Sequence, residues 1–436
     1  MLYLQAFIAA VFLLPGAASA LSLDDALATA RNTATQLQTL EGETKEAKAV
    51  YQQSSQAFLP TVTTDAAWLR ADSSLITGVP VPVLGIPPRI ENTDFGPLEG
   101  TVMGLQLVQP LYNADALQQR EAARLNVDAR QEAQQWGQQA LRLEVARRYF
   151  NILRLQQHEN AALVSYQAAQ KAARLAEASY QQGMAARLDM EQAIAQRAAS
   201  DARVAQARND VLEAEYQLKN LMGMSPQAPL HVTDPMPRPQ PPAKRGEAKP
   251  RRDLQARKLA VDAAEAKTSA AQAEWVPRVN LLARQQWVQG NQPLEDNADG
   301  WLVAVNLQWT LFDGFGREGR IAESQAQARQ AKVEMEDTRR RIQQEQAMAI
   351  HQWQAGYAAW QAAENAQQAA ERAARLATRR YEEGLGSMTE LLAALTRLDQ
   401  QQASLIDARY QALLAGMNYH LQNGRDPLLA LGQSSP

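Results

Sequence analysis

Trp301 to Leu311 alternates with period two. Trp301, Val303, Val305, Leu307, Trp309 and Leu311 fall on one side, and Leu302, Ala304, Asn306, Gln308 and Thr310 on the other. Strict alternation of this kind predicts a strand with one apolar face. Val279, Leu281, Ala283 and Trp287 alternate likewise with Arg278, Asn280, Arg284 and Gln286, while Leu282 and Gln285 fall out of step. Met103, Leu105 and Leu107 share a face of a third run, and Val62, Ala66 and Trp68 a face of a fourth. The predicted strands lie near 61–71, 100–111, 278–289 and 300–311. Proline-free stretches follow the second and the fourth, and predict long helices over 114–182 and 315–383. At 1.5 Å per residue each is on the order of 100 Å long. Shorter helices are predicted over 187–222 and 388–422. The apolar positions of the long helices are mostly Ala, which lets helices approach closely on more than one side. The wall of a tube and an antiparallel coiled-coil rod both fit that pattern.

The chain is written twice. Phe58-Leu59-Pro60 corresponds to Trp275-Val276-Pro277, and Leu111-Tyr112-Asn113-Ala114 to Leu311-Phe312-Asp313-Gly314. Tyr180-Gln181-Gln182-Gly183-Met184 corresponds to Tyr381-Glu382-Glu383-Gly384-Leu385. A repeat this long is a duplicated module, not a short solenoid unit. Each copy reads as helix, Pro, two strands, a very long helix, a Gly-marked turn and a second helix. The first copy spans 21–224 and the second 252–423, with a tail over 424–436. Between the copies, 225–251 carries eight of the chain's 20 prolines and reads as a linker.

Composition narrows the class. The 436 residues carry a formal net charge of −3, so there is no basic footprint for nucleic acid. There is no Cys, which removes disulfides, thiolate metal sites, thiol nucleophiles and a lipid-modified N-terminal Cys. The four His lie far apart, without metal-ligand spacing. No catalytic constellation, metal site or cofactor site is expected. Gly314-Phe315-Gly316-Arg317-Glu318-Gly319 spells a dinucleotide fingerprint, but it follows an alternating strand and opens a helix too long for a compact βαβ unit. The first residues, 1–20, read as a secretory signal peptide: an apolar run from Leu2 to Leu14, a Pro15-Gly16 break and Ala18-Ser19-Ala20 before the cut.

Alternating strands with aromatics near their ends fit a transmembrane β-barrel, as they also fit a soluble sheet with one wet face. Four strands cannot close a barrel. Two chains would supply eight, with a filled interior, and three would supply twelve, with room for a lumen.

With these features in this order, twice, the chain resembles the TolC-like outer-membrane efflux family over nearly its whole length. The resemblance implies a fold that is mostly α with a small β part. Duplicated long helical hairpins would form an α-helical barrel, and four strands per chain would complete a 12-stranded transmembrane β-barrel in a homotrimer. It implies a passive exit duct in the outer membrane of a Gram-negative-type cell, reaching into the periplasm. The implied partners are outer-membrane lipid, a periplasmic adaptor (membrane fusion) protein and an inner-membrane pump of RND or ABC type. Export of small toxic molecules is the expected role. A type I protein-secretion duct shares the fold, and a soluble periplasmic coiled-coil scaffold is the alternative of another class.

Site residues follow from the same resemblance. Asn113, Asp313 and Gly314 mark the strand-to-helix turns, where Asp313 is expected to cap the new helix. Gly183, Met184, Gly384 and Leu385 resemble exposed hairpin tips that meet an adaptor, and simple hairpin geometry accounts for them equally. Glu390 resembles a carboxylate ring at the periplasmic constriction, and Ser387-x-x-Glu390 also reads as a capping box. A second acidic ring is missing, because Ala393 stands there. Tyr381 and Asp189 resemble a releasable latch between the copies. Gly386 stands where the family has an Arg partner. A Tyr packed beneath a Gly cap reads the same way in sequence.

Overall fold

The computed structural model describes residues 21–71, 98–242, 248–290 and 298–432. The predicted signal peptide, 1–20, lies outside the described residues, as do 243–247 of the linker and 433–436 of the tail. The helices are α1 (Leu23–Thr33), α2 (Thr35–Gln53), α3 (Ala114–Gln181), α4 (Arg187–Leu221), α5 (Arg252–Ala273), α6 (Gly316–Glu382) and α7 (Met388–Gln422). The strands are β1 (Thr61–Ala71), β2 (Leu98–Tyr112), β3 (Arg278–Gly290) and β4 (Ala298–Gln308). The protein is mostly helical with one small sheet, as the periodicities predict. Among the described residues, no helix is long and apolar enough to cross a membrane.

The four strands form one antiparallel sheet in the order β1-β2-β3-β4. Each repeat contributes one hairpin, and β2 against β3 joins the two. Pro110 sits inside β2 at a bulge, since Pro110 faces Asn280 and Tyr112 faces Val279 with Leu111 between them.

The structure corrects two boundaries. β4 stops at Gln308, three residues short of the predicted 311. Its ladder partner explains this: Gln308 faces Arg278, and the residue before Arg278 is Pro277, which has no N–H to donate. α6 then begins at Gly316, after Gly314 and Phe315 have both taken positive φ. The second correction lies upstream of β1, where one helix was predicted and two form, broken at Ala34. At the break Thr33 closes over the end of α4. Its hydroxyl donates to the Met222 carbonyl, and a Cβ on Gly223 would come within 3.2 Å of its carbonyl.

The chain divides into two compact units that cut across the repeats. One comprises Thr44–Arg130 and Ala256–Glu336 and holds the sheet. The other comprises the residues up to Glu43, Gln131–Gln255 and Asp337 onward. Its core gathers Ala26, Val145, Tyr149, Phe150, Ile152, Leu218, Met222, Leu413 and Met417. The proline-rich linker enters that core through Leu230, Val232 and Met236. Polar contacts fix it in place. Tyr149 donates to Asp234 Oδ2 at 2.6 Å, and Arg409 donates to the carbonyls of Met236 and Pro237. Ala and Gly at the helix contacts allow the close approach expected from composition. Gly416 lies under the Trp353 indole, and Gly356 under the backbone of Ala412.

Candidate functional site

Register decides which strand residues share a face. Val62, Ala66 and Trp68 of β1 align with Leu107, Met103 and Thr101 of β2. Those align with Ala283, Trp287 and Gln289 of β3, and Leu281, Ala283 and Gln285 face Val305, Val303 and Trp301 of β4. The apolar sides of all four runs therefore merge into one surface. It is not covered: Trp301 is 78% exposed and Val305 65%, and Trp68, Met103, Leu105, Val303 and Leu307 are exposed with them. Contiguous exposed apolar surface of this extent marks a contact with lipid or with protein.

The opposite face carries Thr63, Asp65, Gln106, Asn280, Arg284, Gln286, Asn306 and Gln308. Arg284 reaches across β2 to Asp65 at 3.2 Å. Gly104 lies between them, and a Cβ there would come within 2.8 Å of the Asp65 carboxylate. This ion pair was not legible in the sequence, because its partners lie 219 residues apart.

The strand-to-helix turns behave differently in the two copies. Asn113 caps α3 directly, its Oδ1 accepting from the Ala116 amide at 3.4 Å. Asp313 acts from further out. Burial works to raise its pKa, but the Arg317 amide and the Arg320 guanidinium together hold it below the ordinary carboxylate range. Arg320 also grips Glu274 at 2.6 Å. Gly314 takes φ 70°, and the exposed Phe312 and Phe315 stack edge to face at 5.5 Å. At the other turn Asp115, almost fully buried, holds Arg278 at 2.6 Å. Neither Asp115 nor Arg278 was singled out by the sequence.

Both hairpins close with the same device. The Gly183 amide bonds the Tyr180 carbonyl and the Met184 amide bonds Ser179, while Gly384 and Leu385 repeat this on Tyr381 and Arg380. These are Schellman caps with Gly in the left-handed region, at φ 73° and 71°. The residue after each Gly points into solvent: Met184 is 71% exposed and Leu385 67%.

Glu390 lies beyond the second tip. Ser387 caps α7 by accepting from the Glu390 amide at 3.1 Å, so one half of the predicted capping box forms. The other half does not, because the Glu390 carboxylate turns to Arg380, at 3.8 Å. Arg380 also donates to the Leu385 carbonyl at 3.2 Å. It supplies a cation at the corner where Gly386 leaves the family's Arg absent, and it was not foreseen. The structure draws Tyr381 and Asp189 near each other without a hydrogen bond between them. Burial and the Asp189 charge raise the Tyr381 pKa, and Ser179 opposes the rise. Among the described residues, no cluster of His, Cys, Asp and Glu could hold a metal ion.

The family model for outer membrane efflux proteins matches residues 23–224 and 247–417. No curated protein matches the sequence. Among solved structures, the Campylobacter jejuni outer membrane channel CmeC superposes with a TM-score of 0.80 at 14% identity, over 92% of this chain and 85% of that one. The Vibrio cholerae outer membrane protein VceC gives 0.77 at 19% identity, over 92% of this chain and 96% of its own. The open state of the Neisseria gonorrhoeae outer membrane channel MtrE gives 0.69 at 18%, over 93% and 89%. At these identities the superpositions establish a shared fold.

Proposed function

The chain belongs to the outer membrane efflux protein family, and from that premise we propose that it is the exit duct of a tripartite efflux system. Three copies pool their strands into a 12-stranded barrel in the outer membrane. Their long helices form an α-helical barrel in the periplasm. The duct is passive and performs no chemistry. A periplasmic adaptor couples it to an inner-membrane pump of RND or ABC type, which supplies the energy, and small toxic molecules are the cargo.

The observation that carries this reading is the uncovered apolar sheet face bounded by two strands, β1 and β4, that each have one partner among the described residues. In water such a sheet would leave both its face and its edges unsatisfied. In a bilayer the face meets acyl chains, and the edges must close on other copies because open edges are not tolerated there. The aromatics suit the two interfaces. From Trp301 in β4 to Trp309, one residue past its end, is eight residue steps, about 27 Å of extended chain at ~3.4 Å per residue. At a tilt of about 40° that spans roughly 20 Å, near the height of an outer-membrane apolar band.

In this assembly Glu390 lines a threefold constriction, and Tyr381 with Asp189 forms the contact that must part when the mouth opens. The tips at Gly183-Met184 and Gly384-Leu385 meet the adaptor. A deletion strain carrying the wild-type gene or a vector tests the role. Sensitivity to small toxic compounds should rise without the gene and return with it. Unchanged sensitivity with loss of a secreted protein would contradict efflux as the role.

A further inference from the structure

The duplication relates the two hairpins of the sheet residue by residue. Adding 217 to a β1 position and 200 to a β2 position turns the pair Thr61–Val108 into Arg278–Gln308, which is the pair that β3 and β4 make. The two hairpins thus obey the sequence offsets residue for residue. The seam between the repeats, β2 against β3, is then the template for a seam between copies, β4 against β1.

Applying the same offsets to the β2–β3 register, we propose that β4 of one copy pairs antiparallel with β1 of a second copy in one defined register. Leu307 stands opposite Ala66, Asn306 opposite Ala67, and Gln308 opposite Asp65. These come from the observed pairs Leu107–Ala283, Gln106–Arg284 and Val108–Leu282. This rests on the trimeric reading above and specifies its contact.

The faces agree with this register. Because the offsets carry one hairpin ladder onto the other, they keep outward positions opposite outward ones, whereas a slip of one residue would set every outward side chain of β4 against the polar face of β1. The derived register instead places Val305 opposite Trp68 and Leu307 opposite Ala66, outward against outward. It sets Gln308 and Asn306 on the polar face beside Asp65. Asp65 holds Arg284 of its own chain with one oxygen, and the register brings it the Gln308 amide of the second copy as a further donor. Beyond the bulge, Tyr112–Val279 becomes Phe312 opposite Val62. Phe312 and Val62 are both exposed in the single chain. Phe312, four residues past the end of β4, thereby gains a cover.

The chain has no Cys, so paired substitutions can be read without background. Leu307→Cys with Ala66→Cys, and Asn306→Cys with Ala67→Cys, sample the two kinds of antiparallel pair, one of which brings its side chains closer. Leu307→Cys with Thr64→Cys, and Asn306→Cys with Asp65→Cys, sample a slip of two residues. Each full-length variant is oxidised in isolated outer membranes and run without reductant. At least one pair of the derived register should move most of the monomer band to a covalent species of three chains and outyield the slipped pair that shares its β4 position. Dominant cross-linking by the slipped pairs would overturn the register and leave the trimer standing. No cross-link from any pair, in protein whose detergent complex still has the mass of three chains, would overturn β4–β1 pairing itself. No cross-link together with a monomeric mass would remove the trimeric reading as well.

Discussion

Gly424 and Gly183 both take positive φ at helix ends, but their surroundings differ. A Cβ on Gly183 meets nothing within 4 Å, whereas on Gly424 it would lie 2.7 Å from the Lys249 carbonyl oxygen. Gly183→Ala should therefore cost only the left-handed penalty, about 1 kcal/mol. Gly424→Ala adds a backbone clash and should cost about 2–3 kcal/mol or more. Thermal unfolding of the two variants in detergent checks the difference. Tyr-x-x-Gly disclosed Gly183 and Gly384 as turn glycines in the sequence. Nothing local could disclose the Lys249 carbonyl over Gly424, because it arrives from 175 residues upstream. The Glu390 environment was likewise half legible. The Ser387 cap is a local pattern, whereas Arg380 reaches Glu390 only because the hairpin folds back. The Arg380–Glu390 pair is half-exposed at 3.8 Å, so Glu390→Gln should alter stability by less than about 1 kcal/mol. In planar bilayers it should nonetheless reduce cation preference, read from the reversal potential. Unchanged selectivity would remove Glu390 from the constriction. Asp399 gives the pH prediction. Burial raises its pKa, against the bond from Ser165 on α3 and the charge of Arg203 on α4. A carboxyl raised by folding contributes most below its unfolded value, near 4, and that contribution is lost as pH rises through the folded value. Asp399→Asn should therefore melt above wild type at pH 7 and level with it below about pH 4.

Strands and long helices were the legible elements, because period two and Ala-rich proline-free runs are set within the segment itself. Their ends were less so. β4 stops where Pro277 ends its partner's ladder, and α1 breaks from α2 where Thr33 meets the end of α4. Both causes lie in other parts of the chain. Leu282 and Gln285, which disturb the alternation of β3, stay in the ladder because register is a property of the whole sheet. The faces predict opposite outcomes for neighbouring residues of β4. Val305→Arg places a charge on the apolar face and should cost about 2–4 kcal/mol at mid-bilayer. Its yield in outer-membrane fractions should fall sharply. Asn306→Arg, one residue away on the polar face, should insert at close to the wild-type level. Equal yields would mean that the face assignment is wrong.

The whole molecule is one plan used twice, and its two compact units each draw on both repeats. Duplication was visible from three matched motifs, and it supplied the fold class. It could not reveal that space divides the chain differently from sequence, since that depends on very long helices running through both units. Among the described residues the sheet has four strands and ends on β1 and β4, so the proposed duct stands or falls on stoichiometry. The most direct measurement is the mass of the protein extracted from outer membranes in mild detergent, by native mass spectrometry with detergent removed in flight. A single stable species at three times the mass of the processed chain is the expected result. A monomer or dimer released into buffer without detergent would contradict the duct and leave the sheet's apolar face to some other partner.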